Sequence, residues 1–206
     1  MVAKKRWFTI ISPKIFGSKE LGETMSDDPK KVKGRVLTTN AKELTNDFKR
    51  SHISIKLLVK EVVDDNALTE ISGYAVSRPY LQRLVHKGMS SIAIVEDVTT
   101  SDNQKIRVKC TAVVNGKIQT TKKKLIRERF ISESSRMFSE MTLDNIVFIA
   151  STNKIQKMLV TKLKKVHPLR FVEIKKIDVL DSSKKIEVKP KEEKVVEEET
   201  MAKTEQ

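Results

Sequence analysis

Ile53-Ser54-Ile55-Lys56-Leu57-Leu58-Val59-Lys60 alternates apolar and polar side chains. A period of two places Ile53, Ile55, Leu57 and Val59 on one face and Ser54, Lys56 and Lys60 on the other. That is the pattern of a strand with one buried and one solvated face. Asp64-Asp65-Asn66 follows as a turn, and Leu68 to Val76 reads as the returning strand. A lone two-stranded hairpin is marginal in water, so the flanking sequence must supply partners for it.

Downstream of the hairpin, Pro79 suits the first turn of a helix with Tyr80, Leu81, Leu84 and Val85 on one face and Gly88 as its C-terminal cap. A second hairpin runs in over Ile92 to Val98, turns at Ser101-Asp102-Asn103-Gln104, and runs out over Ile106 to Val114. On its outgoing strand Ile106, Val108 and Cys110 face one way, and Lys105, Arg107 and Lys109 the other. Asn115-Gly116 marks another tight turn. From Thr121 the period becomes helical, with Ile126, Phe130, Met137 and Met141 in one stripe and Lys122, Arg129 and Arg136 along its edge. Thr142 caps a shorter helix through Ala150, and Ser151 or Thr152 opens another that runs to about Lys165. Pro168 stops it, and Leu169 to Ile177 is a final strand.

Upstream, residues 1–50 read as mostly irregular. Trp7 to Ile11 is a short strand ended by Pro13, Ala41 to Lys49 holds one or two helical turns, and Gly17, Gly22, Pro29 and Gly34 punctuate the rest. The Lys/Glu/Val-rich end from Lys184 lacks the apolar content to pay for ordering. The expected organisation is a basic N-terminal extension over 1–50, an α+β core over 51–180, and a disordered charged tail over 181–206. The core is expected to be a barrel-like antiparallel or mixed sheet flanked by about four helices. Removing residues 1–16 is expected to leave that core folded.

The 206-residue chain is 38% hydrophobic and 33% charged, with a net charge of +14. Its charge is uneven. Residues 1–50 carry +6, 105–136 carry +8 and 154–176 carry +7, whereas 51–104 and 137–153 each carry −2. Single lysines usually just solvate a face. A summed excess of this size costs self-repulsion unless an anionic partner is present, which favours nucleic acid or an anionic membrane surface. No run of 18 apolar residues exists, so no transmembrane helix is expected, and Trp7 to Ile11 is too short for a signal-peptide core. No basic helix with a bulky apolar face offers a surface anchor. The single cysteine, Cys110, excludes an intrachain disulfide and fits a reducing cytoplasm.

Catalytic chemistry is hard to assemble. His52, His86 and His167 fall in three different elements, none with a Cys or acidic partner at metal-ligand spacing. Cys110 sits mid-strand on the inward face, where a small buried hydrophobe is the ordinary role. Gly17-Ser18-Lys19-Glu20-Leu21-Gly22-Glu23-Thr24 has the glycine spacing of a P-loop, but Glu23 replaces the lysine that would meet the phosphates. Asp27-Asp28 and Asp64-Asp65 lie in turns, where carboxylates bond local backbone groups. No enzyme activity, cofactor or metal is expected.

Several segments, in order, resemble one family. They are Lys5-Arg-Trp-Phe-Thr-Ile-Ile-Ser-Pro-Lys-Ile-Phe16, Leu21-Gly-Glu-Thr24, Lys33-Gly-Arg-Val36, Glu43-Leu-Thr-Asn-Asp47 and Tyr80-Leu-Gln-Arg-Leu-Val85. Lys154-Ile-Gln-Lys157, Val166-His-Pro-Leu-Arg170 and Glu173-Ile-Lys175 complete the set. The pattern resembles the S3Ae family of archaeal and eukaryotic small-subunit ribosomal proteins and covers about residues 4–180. Ser12 departs from it, standing where the family usually has Ala before the Pro. The resemblance implies a non-catalytic, cytoplasmic protein of the small subunit, of archaeal-type length. It implies a barrel-like core and an N-terminal extension reaching over rRNA, on the platform near the mRNA exit. Its implied partners are small-subunit rRNA, neighbouring ribosomal proteins and mRNA near the exit.

The residues expected to contact RNA are Lys4, Lys5, Arg6, Trp7, Lys33, Arg35, Arg50, Arg107, Lys122, Lys123, Lys124, Arg129, Arg136, Arg170 and Lys175. The cations would pair with phosphates, and Trp7 and the arginines would stack. Trp7 has an equally good second role, as an anchor of the extension onto the core. A free-standing RNA-binding module or chaperone is the main alternative. A nucleic-acid-processing enzyme would require carboxylates or histidines converging in a pocket.

Overall fold

The computed structural model describes residues 5–164 and 166–180. Lys4 and the charged tail expected from residue 181 lie outside the described residues.

In chain order the elements are β1 (Arg6–Ile11), a 3-10 turn (Lys14–Phe16), β2 (Glu20–Ser26), α1 (Pro29–Val32), β3 (Val36–Asn40), α2 (Ala41–Thr45) and a second 3-10 turn (Phe48–Arg50). Then come β4 (Ile53–Val63), β5 (Asn66–Val76), α3 (Arg78–Leu84), β6 (Met89–Thr99), β7 (Lys105–Asn115), α4 (Thr120–Ser139), α5 (Leu143–Ser151), α6 (Lys154–Leu163) and β8 (Phe171–Val179). Both expected hairpins form. Val63 pairs with Asn66 across the Asp64-Asp65 turn, and β6 pairs with β7 along its whole length. Thr142 caps α5 by accepting from the Asn145 amide at 3.4 Å, as its position in the sequence suggests.

Among the described residues the sheet has eight strands, in the order β2-β1-β5-β8-β7-β6, with β4 and β3 branching from β5. It is mixed, since β1 runs parallel to β5 while the other pairs are antiparallel. β5 organises it. One edge of β5 pairs with β4. The other edge is divided between β1, at Asn66–Leu68, and β8, at Gly73–Ala75. The pairing leaves β2, β3 and β6 with one partner each, so the ladder does not run round into a closed ring.

The main core lies between this sheet and α4, α5 and α6. Ile53, Ile55 and Leu57 from β4 meet Ile92 and Ile94 from β6, Ile106 and Val108 from β7, and Phe130, Phe138, Ile146 and Leu159 from the helices. Cys110 is buried there on the inward face, as its alternation indicates. A second, smaller core gathers Phe8, Ile10, Val32, Val59 and Ala67. Register shifts in β4 between Lys56 and Leu57, and again between Val59 and Glu61, let one strand serve both cores.

Residues 6–50 are not the irregular segment that their composition suggests. β1, β2 and β3 belong to the same sheet, and Phe8, Ile10 and Phe16 are 1%, 6% and 5% exposed. Burying each such side chain stabilises by roughly 1.5–3 kcal/mol. Removing residues 1–16 therefore forfeits an amount comparable to the whole stability of a domain, and the remaining core is not expected to stay intact. The short apolar runs are too few to show a period; pairing of β1 with β5, β2 with β1 and β3 with β4 makes them strands. Gly88 is a smaller correction. It is left-handed (φ 90°) but lies beyond the helix, whose cap is Val85.

Candidate nucleic-acid interface

Twelve of the fifteen residues expected to contact RNA lie on three surfaces. The first is the outer face of β1 and β2. Alternation along β1 turns Phe8 and Ile10 inward, so Trp7 points out and is 60% exposed. It stands opposite Met25 of β2, which is also exposed. The anchoring role considered for Trp7 thus falls to Phe8 and Ile10. Lys5 and Arg6 precede Trp7 at the exposed end of β1, Arg6 on the parity of Phe8, and both are without an acidic partner among the described residues. Arg35 lies at the margin of β2. Its guanidinium donates to the Met25 carbonyl at 3.1 Å, to the Lys31 carbonyl at 3.1 Å, and to the Thr24 hydroxyl. Those bonds fix its fork in place while leaving its charge uncompensated. Lys33 is exposed just after α1.

The second surface is α4. Ile126, Phe130, Ser134, Met137 and Phe138 turn inward. The basic residues occupy the remainder of the helix: Lys122 and Lys123 at its start are unpaired among the described residues, whereas Lys124, Arg129 and Arg136 have acidic neighbours one turn on. Lys124 lies 3.9 Å from Glu128, Arg129 3.2 Å from Glu133, and Arg136 3.9 Å from Glu140. Exposed pairs of this kind are worth little and can exchange for a phosphate. Arg127, absent from the expected set, donates to the Ala93 carbonyl at 3.2 Å and so caps an edge group of β6.

The third surface flanks β8. Arg170 lines a cleft of about 450 Å³ against α6, together with Lys157 and Lys164. Lys175 lines a second cleft, of about 290 Å³, against α3, together with Arg78. Phe171 and Glu173 border both clefts. Two expected residues are engaged locally instead. Arg107 grips Asp97 across the β6–β7 pair with two bonds of 2.7 and 2.8 Å, and Arg50 pairs with Asp47 at 3.1 Å. Both partners lie within the near-neutral 51–104 hairpins or a turn, where sequence counting sees only net charge.

Several buried titratable groups are shifted from their ordinary values. Glu96, 6% exposed on β6, accepts from Ser134 Oγ at 2.7 Å, and burial pushes its pKa up to about 7 against the lowering effect of Ser134 and Ser135. Burial likewise raises Glu173 to about 7, opposed by Gln156, and lifts the Cys110 thiol well above its ordinary value. His52 stacks on Tyr80 with ring centroids 3.8 Å apart, and burial lowers its pKa. The glycine-spaced 17–24 segment is a left-handed turn at Gly17 followed by β2, with no helix N-terminus to receive phosphate. Among the described residues no group of three or more His, Cys, Asp or Glu could hold a metal ion, and no helix is long and apolar enough to cross a membrane.

The most exposed aromatic among the described residues lies outside the expected set. Phe48, in the second 3-10 turn, is 75% exposed, and Lys42 Nζ lies 4.2 Å from its ring centroid. No periodicity surrounds it, so the sequence offers no signal beyond an aromatic lying among charges.

Known proteins resemble this chain over most of its length. The family model described as "Ribosomal S3Ae family" matches residues 1–183. A protein of Archaeoglobus fulgidus named "Small ribosomal subunit protein eS1" is 35% identical over 188 residues, covering 90% of this chain and 89% of its own. Proteins of the same name from Desulfurococcus amylolyticus and Methanopyrus kandleri are 31% and 32% identical, covering 85% and 86% of this chain and 83% and 86% of their own. The matched region spans both cores and all three basic surfaces, and the chain belongs to the ribosomal S3Ae family.

Proposed function

We propose that this protein is a structural constituent of the small ribosomal subunit that binds and braces rRNA, on the platform near the mRNA exit. It would act in the cytoplasm, support translation, and contact neighbouring ribosomal proteins and mRNA at the exit. The observation that carries this reading is the dispersal of unpaired cations over one folded body. Lys5, Arg6, Lys33, Arg35, Lys122, Lys123, Arg170 and Lys175 are outside any ion pair among the described residues, and they occupy three separate surfaces. Dispersed Lys and Arg suit many phosphate contacts, each releasing counterions, and not one reaction centre. The names of the relatives support the ribosomal assignment over a free-standing RNA-binding module or chaperone. The family supports a non-enzymatic role.

Sedimentation separates the two binding readings. A small-subunit constituent stays with the small-subunit peak when ribosomes are spun through a high-salt gradient. Recovery of the protein at the top of that gradient would overturn the proposal, since a module held only by surface phosphates strips off as salt rises.

A further inference from the structure

We infer that Phe48 is a base-stacking platform for a single-stranded segment of RNA, an inference that rests on the rRNA-binding reading above. Its ring is the most exposed of the large hydrophobics in the described residues, at 75%, and it sits on a held mount. Ala41 and Leu44 of α2 are fully buried in the main core, and Lys19 Nζ donates to the Leu44 carbonyl at 2.9 Å. Asn46 turns the chain in the left-handed region (φ 56°), a conformation Asn tolerates well. Asp47 then closes the next turn. Its Oδ1 accepts from the Lys49 amide at 3.1 Å, and its Oδ2 pairs with Arg50 at 3.1 Å. The ring therefore projects from a fixed turn and not from a loose loop.

The surrounding charge selects the partner. The two acids of this corner are occupied: Glu43 accepts from the Thr39 hydroxyl at 2.7 Å, and Asp47 is bound as described. Lys42 and Lys49 have no acidic partner among the described residues. Lys42 lies over the Phe48 ring. An apolar ring flanked by unpaired ammonium groups matches a polymer that alternates flat bases with phosphates, the pairing found in single-strand binding sites. A protein partner would be expected to bury the ring among apolar neighbours, and the adjacent residues Asp47 and Lys49 are charged.

The test uses the full chain and a fluorescein-labelled oligoadenylate of about twelve nucleotides, within the span of single-strand sites. Phe48→Leu keeps the apolar volume and removes the ring; with so little of the side chain buried, its melting curve should overlay that of the native protein. Binding by Phe48→Leu should weaken by roughly 5- to 150-fold, the loss of one base–aromatic stack, with the salt dependence unchanged. Lys42→Gln/Lys49→Gln should instead lower the salt slope by about 1.4, the value for two phosphate contacts on a single strand. In Trp7→Phe/Phe48→Trp the only indole sits at position 48, and its emission should quench as oligoadenylate is added. If the native chain binds and Phe48→Leu binds equally well, or the indole at 48 is not quenched, the platform is overturned while the RNA reading survives. If the native chain fails to bind any RNA, small-subunit rRNA included, both fall.

Discussion

Replacing Glu96 by glutamine should change how stability depends on pH, and the structure sets the size of the change. Glu96 lies under α4 with Oε2 bonded to Ser134 Oγ at 2.7 Å, and its Oε1 is buried without a partner. Burial raises its pKa from 4.5 to about 7. The folded protein thus keeps a proton at pH values where the unfolded chain has released it. Stability is full below about pH 4.5, falls as pH rises toward 7, and levels off above. At about 1.4 kcal/mol for each pH unit, this one carboxyl costs the native protein about 2–3 kcal/mol between pH 5 and pH 8. The amide introduced by Glu96→Gln would keep an acceptor for Ser134 and carry no charge at any pH. Urea unfolding should find Glu96→Gln more stable by about 1 kcal/mol at pH 5 and by about 3 kcal/mol at pH 8. Glu173, also raised to about 7, titrates in both proteins and cancels from the difference. An identical pH dependence in the two proteins would refute the argument that Glu96 is forced to ionise in place.

Two further substitutions test local geometry. Ser12 is 3% exposed, and its hydroxyl accepts from the Lys19 amide at 2.8 Å while its own amide donates to the Lys19 carbonyl at 2.9 Å. Ser12→Ala strands that amide and should cost about 1–3 kcal/mol, a fall of about 2–4 °C in Tm for each kcal/mol; an unshifted melting curve sinks the idea. At Gly73 the sign is diagnostic. A strand glycine replaced by alanine ordinarily gains about 0.5–1 kcal/mol, but a Cβ here would stand 3.1 Å from the Ile177 carbonyl oxygen on β8. Gly73→Ala should therefore destabilise in urea unfolding, and a stabilised variant would show that β8 can move away freely.

Much of the fold is legible locally. Ile53 to Lys60, Asp64-Asp65-Asn66 and Leu68 to Val76 fix a hairpin because their alternation and turn chemistry agree. The stripe Ile126, Phe130 and Met137 fixes α4 in the same way. The basic surfaces are legible in the same sense, since Lys122 and Lys123 stand at the start of a helix whose period is plain. β2 and β3 are not legible. Glu20-Leu-Gly-Glu-Thr-Met-Ser26 and Val36-Leu-Thr-Thr-Asn40 lack a period, and their strand state comes from hydrogen bonds supplied by β1 and β4.

The candidate interface divides along the same line. Charge counting found Arg107 and Arg50 as readily as Arg170, but the register that sets Asp97 opposite Arg107, and the turn that sets Asp47 beside Arg50, consume their charge locally. Phe48 has the opposite history, an aromatic with no pattern around it, exposed because α2 and Asp47 hold its turn away from the core. The sequence by itself determined the two hairpins, the late helices, the basic character and the family, because each rests on residues near one another in the chain. Only the tertiary structure decided that β1, β2 and β3 join the sheet, that Trp7 faces outward, and which cations among the described residues lack an acidic partner. Those outcomes depend on which strand lies beside which, and β5 settles that by offering one edge to β4 and dividing the other between β1 and β8.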